Sequence, residues 1–256
     1  MSARIIDQDL VSIITPAYKA SAFIDETIAS VVAQTYPHWE LLVAEDCSPD
    51  DTREKVAKWA AKDPRVKLMA LPVNGGPAAA RNAALAASSG RWIAFLDSDD
   101  LWTADKLQRQ MAFHKASGSA ITFTGFRRVT AHDSVAGRYI KPPTWLDYRR
   151  ALGLTGIATS TVLLDRSVTG DVRMKPVYYD DFACWLDVLR GGGRGYGLDA
   201  DLMRYRVLAG SISRNKLRSA KEVWRQLRAV ECAPLPIAVP AFASYALHAA
   251  IKYSRF

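Results

Sequence analysis

The chain has 256 residues, 49% of them hydrophobic and 23% charged, a balance that excludes disordered, collagen-like and coiled-coil classes and allows one large domain with or without an appendage. The net charge of +8 is unevenly placed: residues 1–189 hold 22 Lys and Arg against 22 Asp and Glu, while residues 190–256 hold 12 against 4, so the whole surplus of 8 lies in the last quarter. Such a basic end suits either nucleic acid or an anionic membrane leaflet.

Cys47, Cys184 and Cys232 form no CxxC pair and no zinc-like cluster, and read as free thiols of a reducing compartment. The opening MSARIIDQDL lacks the apolar core of a signal peptide, so a cytoplasmic location is expected.

The first strand is read at Leu10–Ile14, ended by Thr15-Pro16-Ala17-Tyr18. Ser21 can cap a helix carrying Ile24, Ile28, Val31 and Val32, which Tyr36-Pro37 stops. Trp39–Ala44 is a short, nearly all-apolar strand, as one covered on both faces should be. Ser48-Pro49-Asp50-Asp51 combines a cap, a proline and first-turn acids ahead of a second helix. A third strand at Val66–Leu71 leads through Asn74-Gly75-Gly76-Pro77 into an alanine-rich helix, and a fourth follows Gly90. Four strand–helix alternations argue for a parallel α/β sheet whose ligand lies beyond the carboxyl ends of the strands. Each strand there ends in a polar cluster: TPAY, EDCS, NGGPAAARN and DSDD.

Beyond Trp102 the pattern weakens. Thr103 can cap a helix with Leu107, Met111 and His114 inward, Ala120–Thr124 reads as strand, 130–150 as loop and Thr159–Leu164 as strand. Asp180-Asp181 opens a helix with Phe182, Trp185, Leu186 and Leu189 inward. A domain over 1–215 is then followed by a basic helical extension, 216–256, in which Leu217–Val230 is amphipathic and Ala233–Ile251 is broken by Pro234, Pro236 and Pro240. Its unbroken part is too short to span a bilayer, and either packing on the domain or lying in an interface fits it.

Four clusters can carry chemistry; taken alone, the three acidic ones are also explained by helix capping, and Arg81 of the remaining one could equally be an ordinary surface residue of an alanine-rich helix. Asp97-Ser98-Asp99-Asp100 can hold a hard divalent cation and a sugar hydroxyl. Glu45-Asp46 can accept a hydrogen bond from a nucleobase imide, and Asn74-Gly75-Gly76 with Arg81 suits a diphosphate without matching Walker A or GxGxxG. Asp180-Asp181 can supply a general base.

In this order the clusters resemble the family 2 glycosyltransferases of GT-A fold: VSIITPAY (11–18), LLVAEDCSPDDT (41–52), NGGPAAARNAA (74–84), RWIAFLDSDDLW (91–102) and YYDDFACWL (178–186), with a weaker likeness in RYRVLAGSISRNK (204–216). The resemblance implies a Rossmann-like, mostly parallel sheet flanked by helices, and an inverting transferase that moves one sugar from a nucleotide-sugar donor, most often UDP-linked. It implies that Pro16, Ala17 and Tyr18 line the nucleoside pocket, that Asp46 binds the base, that Arg81 lies on the phosphate side and that Asp97 contacts ribose or sugar. Asp99 would be the Mn2+ or Mg2+ ligand and Asp181 the base, with Asp180 its neighbour. Glu45, Cys47 and Lys19 stand where Asp, Gly and Asn are commoner in the family, and Asp180 where Glu is. QxxRW, typical of processive synthases, is absent, so a single-sugar transfer fits better. The basic end adds the expectation of a glycan or lipid-linked oligosaccharide acceptor in bacterial surface polysaccharide synthesis, with peripheral contact at the inner face of the plasma membrane and no nucleic acid. Two other classes share features with this chain. A sugar nucleotidyltransferase would carry a glycine-rich basic loop in place of TPAYKAS, and a non-catalytic nucleotide-sugar binder would need neither Asp99 nor Asp181.

Overall fold

The computed structural model describes residues 6–130, 136–153, 157–208 and 216–253, so part of the 130–158 loop and most of the closing segment 204–216 lie outside the described residues. Its strands are β1 (Asp7–Ala17), β2 (Trp39–Glu45), β3 (Val66–Ala70), β4 (Gly90–Phe95), β5 (Leu101–Trp102), β6 (Ile121–Val129), β7 (Ala136–Ile140), β8 (Trp145–Leu146), β9 (Leu163–Asp165) and β10 (Gly195–Arg206). Its helices are α1 (Ile24–Val32), α2 (Thr52–Lys62), α3 (Gly76–Ala87), α4 (Lys106–Ser117), α5 (Tyr148–Leu152), α6 (Arg166–Thr169), α7 (Asp180–Arg190), α8 (Lys216–Arg225) and α9 (Leu235–Tyr253). The strands form one sheet in the order β3-β2-β1-β4-β9-β6-β10-β5, with β7 on β6 and β8 on β10. β3, β2, β1 and β4 run parallel, as do β6 and β10, whereas β9 is antiparallel to both β4 and β6.

Successive residues of the parallel strands feed two cores. Ile14, Leu42, Ala44, Ile93 and Phe95 face α3, α5, α7 and the C-terminal helices, while Val11, Ile13, Leu41, Val43, Trp92 and Ala94 face α1, α2 and α4. Burial on both faces is why the alternation is invisible in a sequence that is apolar at both parities. The connecting helix changes face where the strand order turns back from β3 across β1 to β4, as right-handed crossovers require. That reversal opens a crevice at the strand ends. Register deepens it: Phe95, the end of β4, lies opposite Ile14, and β1 continues three residues further to Ala17.

Several expected caps are used otherwise. α1 and α2 start later than their polar residues suggest, at Ile24 and Thr52, without side-chain caps. Ser48 Oγ instead accepts from Lys19 N (3.1 Å), Thr52 Oγ1 from Ala20 N (2.9 Å) and Asp50 Oδ2 from Ser21 N (3.3 Å). These side chains lace the loop after β1 to the loop after β2. Thr103 likewise donates to Asp105 Oδ1 (2.8 Å) and leaves α4 to begin at Lys106. The 130–150 stretch contains β7, β8 and the start of α5, and the strand expected at 159–164 is a 3-10 turn over Thr159–Thr161 followed by the short β9.

The prolines do not break α9: Pro236 sits in its first turn, where no N–H is missed, and only Pro240 interrupts the ladder. Val223, Leu227, Ala233 and Ala238 join the core formed by Leu146, Ala151, Leu152 and Trp185, so the C-terminal helices share the domain's interior. No helix among the described residues is long and apolar enough to cross a membrane.

The inward face of α4 is more polar than the Leu107–Met111–His114 stripe suggests, because Lys106 and Gln110 are buried as well. The Lys106 ammonium lies 3.6 Å from the centre of the Trp102 ring, and burial pulls its pKa down. His114 packs edge-on to Trp92, with Nδ1 2.8 Å from Thr122 Oγ1, and burial lowers its pKa to about 4.

Two measurements test these features. Lys19 (φ 52°) and Cys47 (φ 57°) hold left-handed backbone, which explains why Asn and Gly suit those positions. Cys47→Gly removes about 1–2 kcal/mol of steric cost against roughly 0.5–1 kcal/mol of added unfolded-chain entropy, so its melting temperature rises by about 2 °C, whereas Cys47→Val lowers it. Between about pH 6.5 and pH 4 the unfolded chain binds a proton at His114 that the folded chain excludes. Acidification across that window therefore removes roughly 3 kcal/mol of stability, a slope that His114→Gln flattens when the two denaturation profiles are compared.

Candidate functional site

The site lies beyond the carboxyl ends of β1, β2 and β4, under the start of α7. On its β2 side Glu45 is buried, and its carboxylate accepts from Ser48 N (2.5 Å) and Arg53 Nε (2.8 Å). Burial pushes its pKa up, but these bonds to the charged form prevail and hold it below the usual range. The next residue, Asp46, is 2% exposed and anchors the glycine turn: Oδ1 accepts from Gly75 N and Oδ2 from Gly76 N, both at 2.8 Å, while Asn74 Nδ2 donates to its carbonyl (2.9 Å). Ala17 O accepts from Asp46 N, which fixes the end of β1 beside it. Pro16 is half-buried, Ala17 buried and Tyr18 exposed at the rim, with the Lys19 ammonium 5.2 Å from its ring centre.

The Asp97–Asp100 turn is held from beneath. Asp100 is buried: its Oδ2 accepts from Ser160 Oγ (2.6 Å) and its Oδ1 from Arg206 N (3.1 Å). The same Ser160 hydroxyl accepts from Asp97 N (3.0 Å), and Trp102 Nε1 donates to Ser160 O (2.8 Å). Arg206 reaches Asp99 O (3.2 Å) and pairs with Glu26. Thr27 Oγ1 lies 3.0 Å from the carbonyls of both Ser98 and Asp100. Asp100 is thus a structural acid, and burial followed by the charges of Asp99 and Asp97 drives its pKa well upward. Asp97 and Asp99 remain half-buried at the mouth.

Arg81 joins this turn to the acidic pair of α7. Its Nη2 donates to Asp97 Oδ1 (2.6 Å) and its Nη1 to Asp180 Oδ2 (2.7 Å), with the guanidinium almost fully enclosed. A residue compatible with the surface of an alanine-rich helix is therefore an interior cation. Each terminal nitrogen gives one N–H to a carboxylate, so the phosphate-side role that the resemblance implied would draw on the second N–H of each. Burial would lower its pKa, and Asp97, Asp180 and Asp181 more than reverse that. Asp180 is pushed up by burial, with Arg81 opposing and Asp181 adding to the shift. Asp181 is half-buried; Thr159 Oγ1 donates to its Oδ2 (2.5 Å), and its Oδ1 accepts from Phe182 N (2.7 Å).

Asp97, Asp99, Asp100, Asp180 and Asp181 thus share one region with Arg81 and Arg206, an excess of negative charge. Burial, then Asp97, raises Asp99 to about 6. No cage of three or more His, Cys, Asp or Glu side chains forms among the described residues. One or two carboxylates at the mouth of a site, with the remaining positions left to phosphate oxygens, is nevertheless the donor set that Mg2+ and Mn2+ accept. The residues present fit such an ion.

Thr159, Ser160, Arg206 and Glu26 were not singled out by sequence. Thr159-Ser160-Thr161 looks like strand, and only the turn it makes sends Ser160 to the DSDD segment and Thr159 to Asp181. The single available signal was RYR at 204–206, part of the weaker likeness to the family.

The profile described as Glycosyl transferase family 2 matches residues 12–169. The chain is 39% identical over 244 residues to TuaG of Bacillus subtilis (strain 168), a glycosyltransferase named for teichuronic acid biosynthesis; the match covers 95% of this chain and 97% of TuaG. It is 37% identical over 220 residues to WfgD of Escherichia coli, a UDP-Glc:alpha-D-GlcNAc-diphosphoundecaprenol beta-1,3-glucosyltransferase, covering 86% and 85% of the two chains. Among solved structures, S. aureus TarS 1-349 in complex with UDP-GlcNAc superposes with a TM-score of 0.69 at 21% identity, covering 92% of this chain and 71% of that one. The mannosyltransferase PcManGT of Pyrobaculum calidifontis, in complex with GDP-Man and Mn2+, superposes with a TM-score of 0.68 at 20% identity, covering 94% and 75%. These two likenesses establish the fold.

The Arg81 bridge carries its own test. Arg81→Met leaves Asp180 buried without a counter-charge, and stability falls by about 3–5 kcal/mol, a drop of roughly 10 °C in melting temperature. Arg81→Lys restores part of the loss, because an ammonium cannot span two carboxylates as a guanidinium does.

Proposed function

We propose, from the premise that this chain belongs to glycosyl transferase family 2, that it moves one sugar from a nucleotide-sugar donor, UDP-linked, to a hydroxyl of a lipid-linked oligosaccharide or glycan in bacterial surface polysaccharide synthesis. The observation that supports this most is the Arg81 bridge, which draws the turn after β4 and the acids opening α7 into one site although 83 residues separate Asp97 from Asp180. The named activities of TuaG and WfgD support the polysaccharide context and the undecaprenol-linked acceptor class.

In this reading Pro16, Ala17 and Tyr18 line the nucleoside side. Asp46 takes the base through carboxylate lone pairs beyond those used by Gly75 and Gly76. Asp97 contacts ribose or sugar, and Asp99 holds Mn2+ or Mg2+. When bound, that ion supplies charge neutralisation at the departing diphosphate. Asp181 acts as the general base: its carboxylate takes the proton of the acceptor hydroxyl as the hydroxyl oxygen forms its bond to the anomeric carbon and the diphosphate leaves from the opposite face. A single displacement inverts the anomeric configuration. Thr159 orients the Asp181 carboxylate, and Arg81 with Asp180 fixes its distance from Asp97. A cytoplasmic protein peripheral to the inner face of the plasma membrane follows from an acceptor held there.

Transfer assays with UDP-sugars distinguish these roles. Asp181→Asn slows transfer by about 10²-fold or more while the thermal shift produced by UDP persists, and an unchanged rate refutes the base assignment. Thr159→Val lowers kcat with little change in donor KM, and Thr159→Ser, which keeps the hydroxyl, recovers most of it. Asp99→Asn weakens the dependence of donor use on added Mn2+.

A further inference from the structure

Helix α9 carries no Asp, Glu, Lys or Arg from Leu235 to Ile251, and its two faces are both apolar. One is satisfied by the protein. Ala238 is buried, Ala241, Phe242 and Tyr245 pack on the core around α5 and α7, and Phe242 meets Trp224 of α8 edge-on at 5.4 Å. The other is a stripe at strict four-residue spacing, Leu235, Val239, Ala243 and Leu247, in which the three large side chains are 54%, 52% and 61% exposed. At 1.5 Å per residue it runs about 18 Å along the helix.

Beside this stripe, α5 and α9 border a cleft of about 450 Å³ lined by Arg149, Arg150, Gly153, Pro236, Ile237 and Pro240. The two helices approach closely at Gly153, where a Cβ would stand 3.0 Å from Ser244 Cβ and Oγ. Among the described residues neither the Arg149 nor the Arg150 side chain pairs with a carboxylate, and the nearby Asp147 carboxylate accepts from Arg150 N (2.8 Å). Arg150 stacks on Trp145 at 3.9 Å, so one of the two cations at the cleft is held on an aromatic ring, whose other cation contact is Arg194 at 4.4 Å.

We propose that this face is the surface by which the protein docks on an anionic phospholipid bilayer, with Leu235, Val239 and Leu247 entering the acyl boundary and Arg149 and Arg150 meeting lipid phosphates. Charge selects this occupant. An apolar helix face bordered by arginines is the composition of an interfacial helix, and each basic residue near an anionic leaflet adds attraction. A symmetric contact between two copies would instead bring the same arginine-bordered patch against itself. The proposal deepens the lipid-linked reading of the acceptor and rests on it for its purpose, but the surface is formed by residues outside the acid site, so the two are tested separately.

The test is flotation of the full chain at low salt with phosphatidylcholine vesicles, with and without phosphatidylglycerol, alongside light scattering of the protein alone. Wild type is expected to float with phosphatidylglycerol-containing vesicles and at least about tenfold less with phosphatidylcholine alone. Val239→Glu/Leu247→Glu loses retention on both, and Arg149→Glu/Arg150→Glu loses the preference for anionic lipid. Melting temperature and the UDP-induced thermal shift verify that each variant is folded, and Val239→Ser/Leu247→Ser replaces the glutamate pair if that pair does not fold. Equal flotation of wild type and a folded stripe variant overturns the proposal. So does a wild-type dimer that the stripe variant dissociates while neither protein floats, since that result assigns the face to a second copy. Vesicle retention without sugar transfer supports the surface and counts against the catalytic reading alone.

Discussion

The bridge from Arg81 to Asp97 and Asp180 is the interaction on which the rest of the site depends. Carboxylates gathered at the end of a parallel sheet repel one another and resist burial, and two of them tolerate proximity here because an enclosed guanidinium stands between them. The planar fork matters as much as the charge, since it fixes two acids from different segments at one spacing. Burial still dominates for Asp180, whose pKa is raised despite its partner. A bridge of this kind specifies geometry more than it adds stability.

The same logic recurs one layer below. Asp100 is sealed under the turn and held by Ser160 and by the backbone of Arg206, so one of three neighbouring acids maintains the loop while Asp97 and Asp99 stay at its mouth. Ser160 and Thr159 are consecutive in a single 3-10 turn, and their hydroxyls point to the two halves of the site. A small shift of this turn would move the metal-side and base-side acids together, which makes it a mechanical link between the two proposed roles. The C-terminal helices complete the domain on one face and leave an apolar face outward, so the same segment both belongs to the interior and presents a surface.

Much of this was legible in sequence. The first four strands, the helices between them and α7 follow from apolar runs and helical spacing; the polar strand ends mark Asp46, Asp97 and Asp99, and the acidic pair ahead of an apolar helix marks Asp181. Caps are less legible. Ser48, Asp50 and Thr52 look like the start of a helix because the same oxygens that cap helices also accept from neighbouring loops, and only the packing of the loop after β1 decides between the two. Strand β10 is not evident from sequence because its burial follows no regular alternation, and α9 reads as a shorter helix over 241–251 because proline at its first turn resembles a break.

The sequence by itself determined the α/β class, the order of the polar clusters and the family, because those are local: periodicity, composition and motifs are written along the chain. Tertiary structure alone decided which acids meet, that Arg81 is an interior bridge, that Thr159 and Ser160 serve opposite halves of the site, and that one stripe of α9 is left uncovered. Each of these is a contact between residues distant in the chain or a matter of which face remains exposed, and neither is set until the sheet order and helix packing bring the segments together.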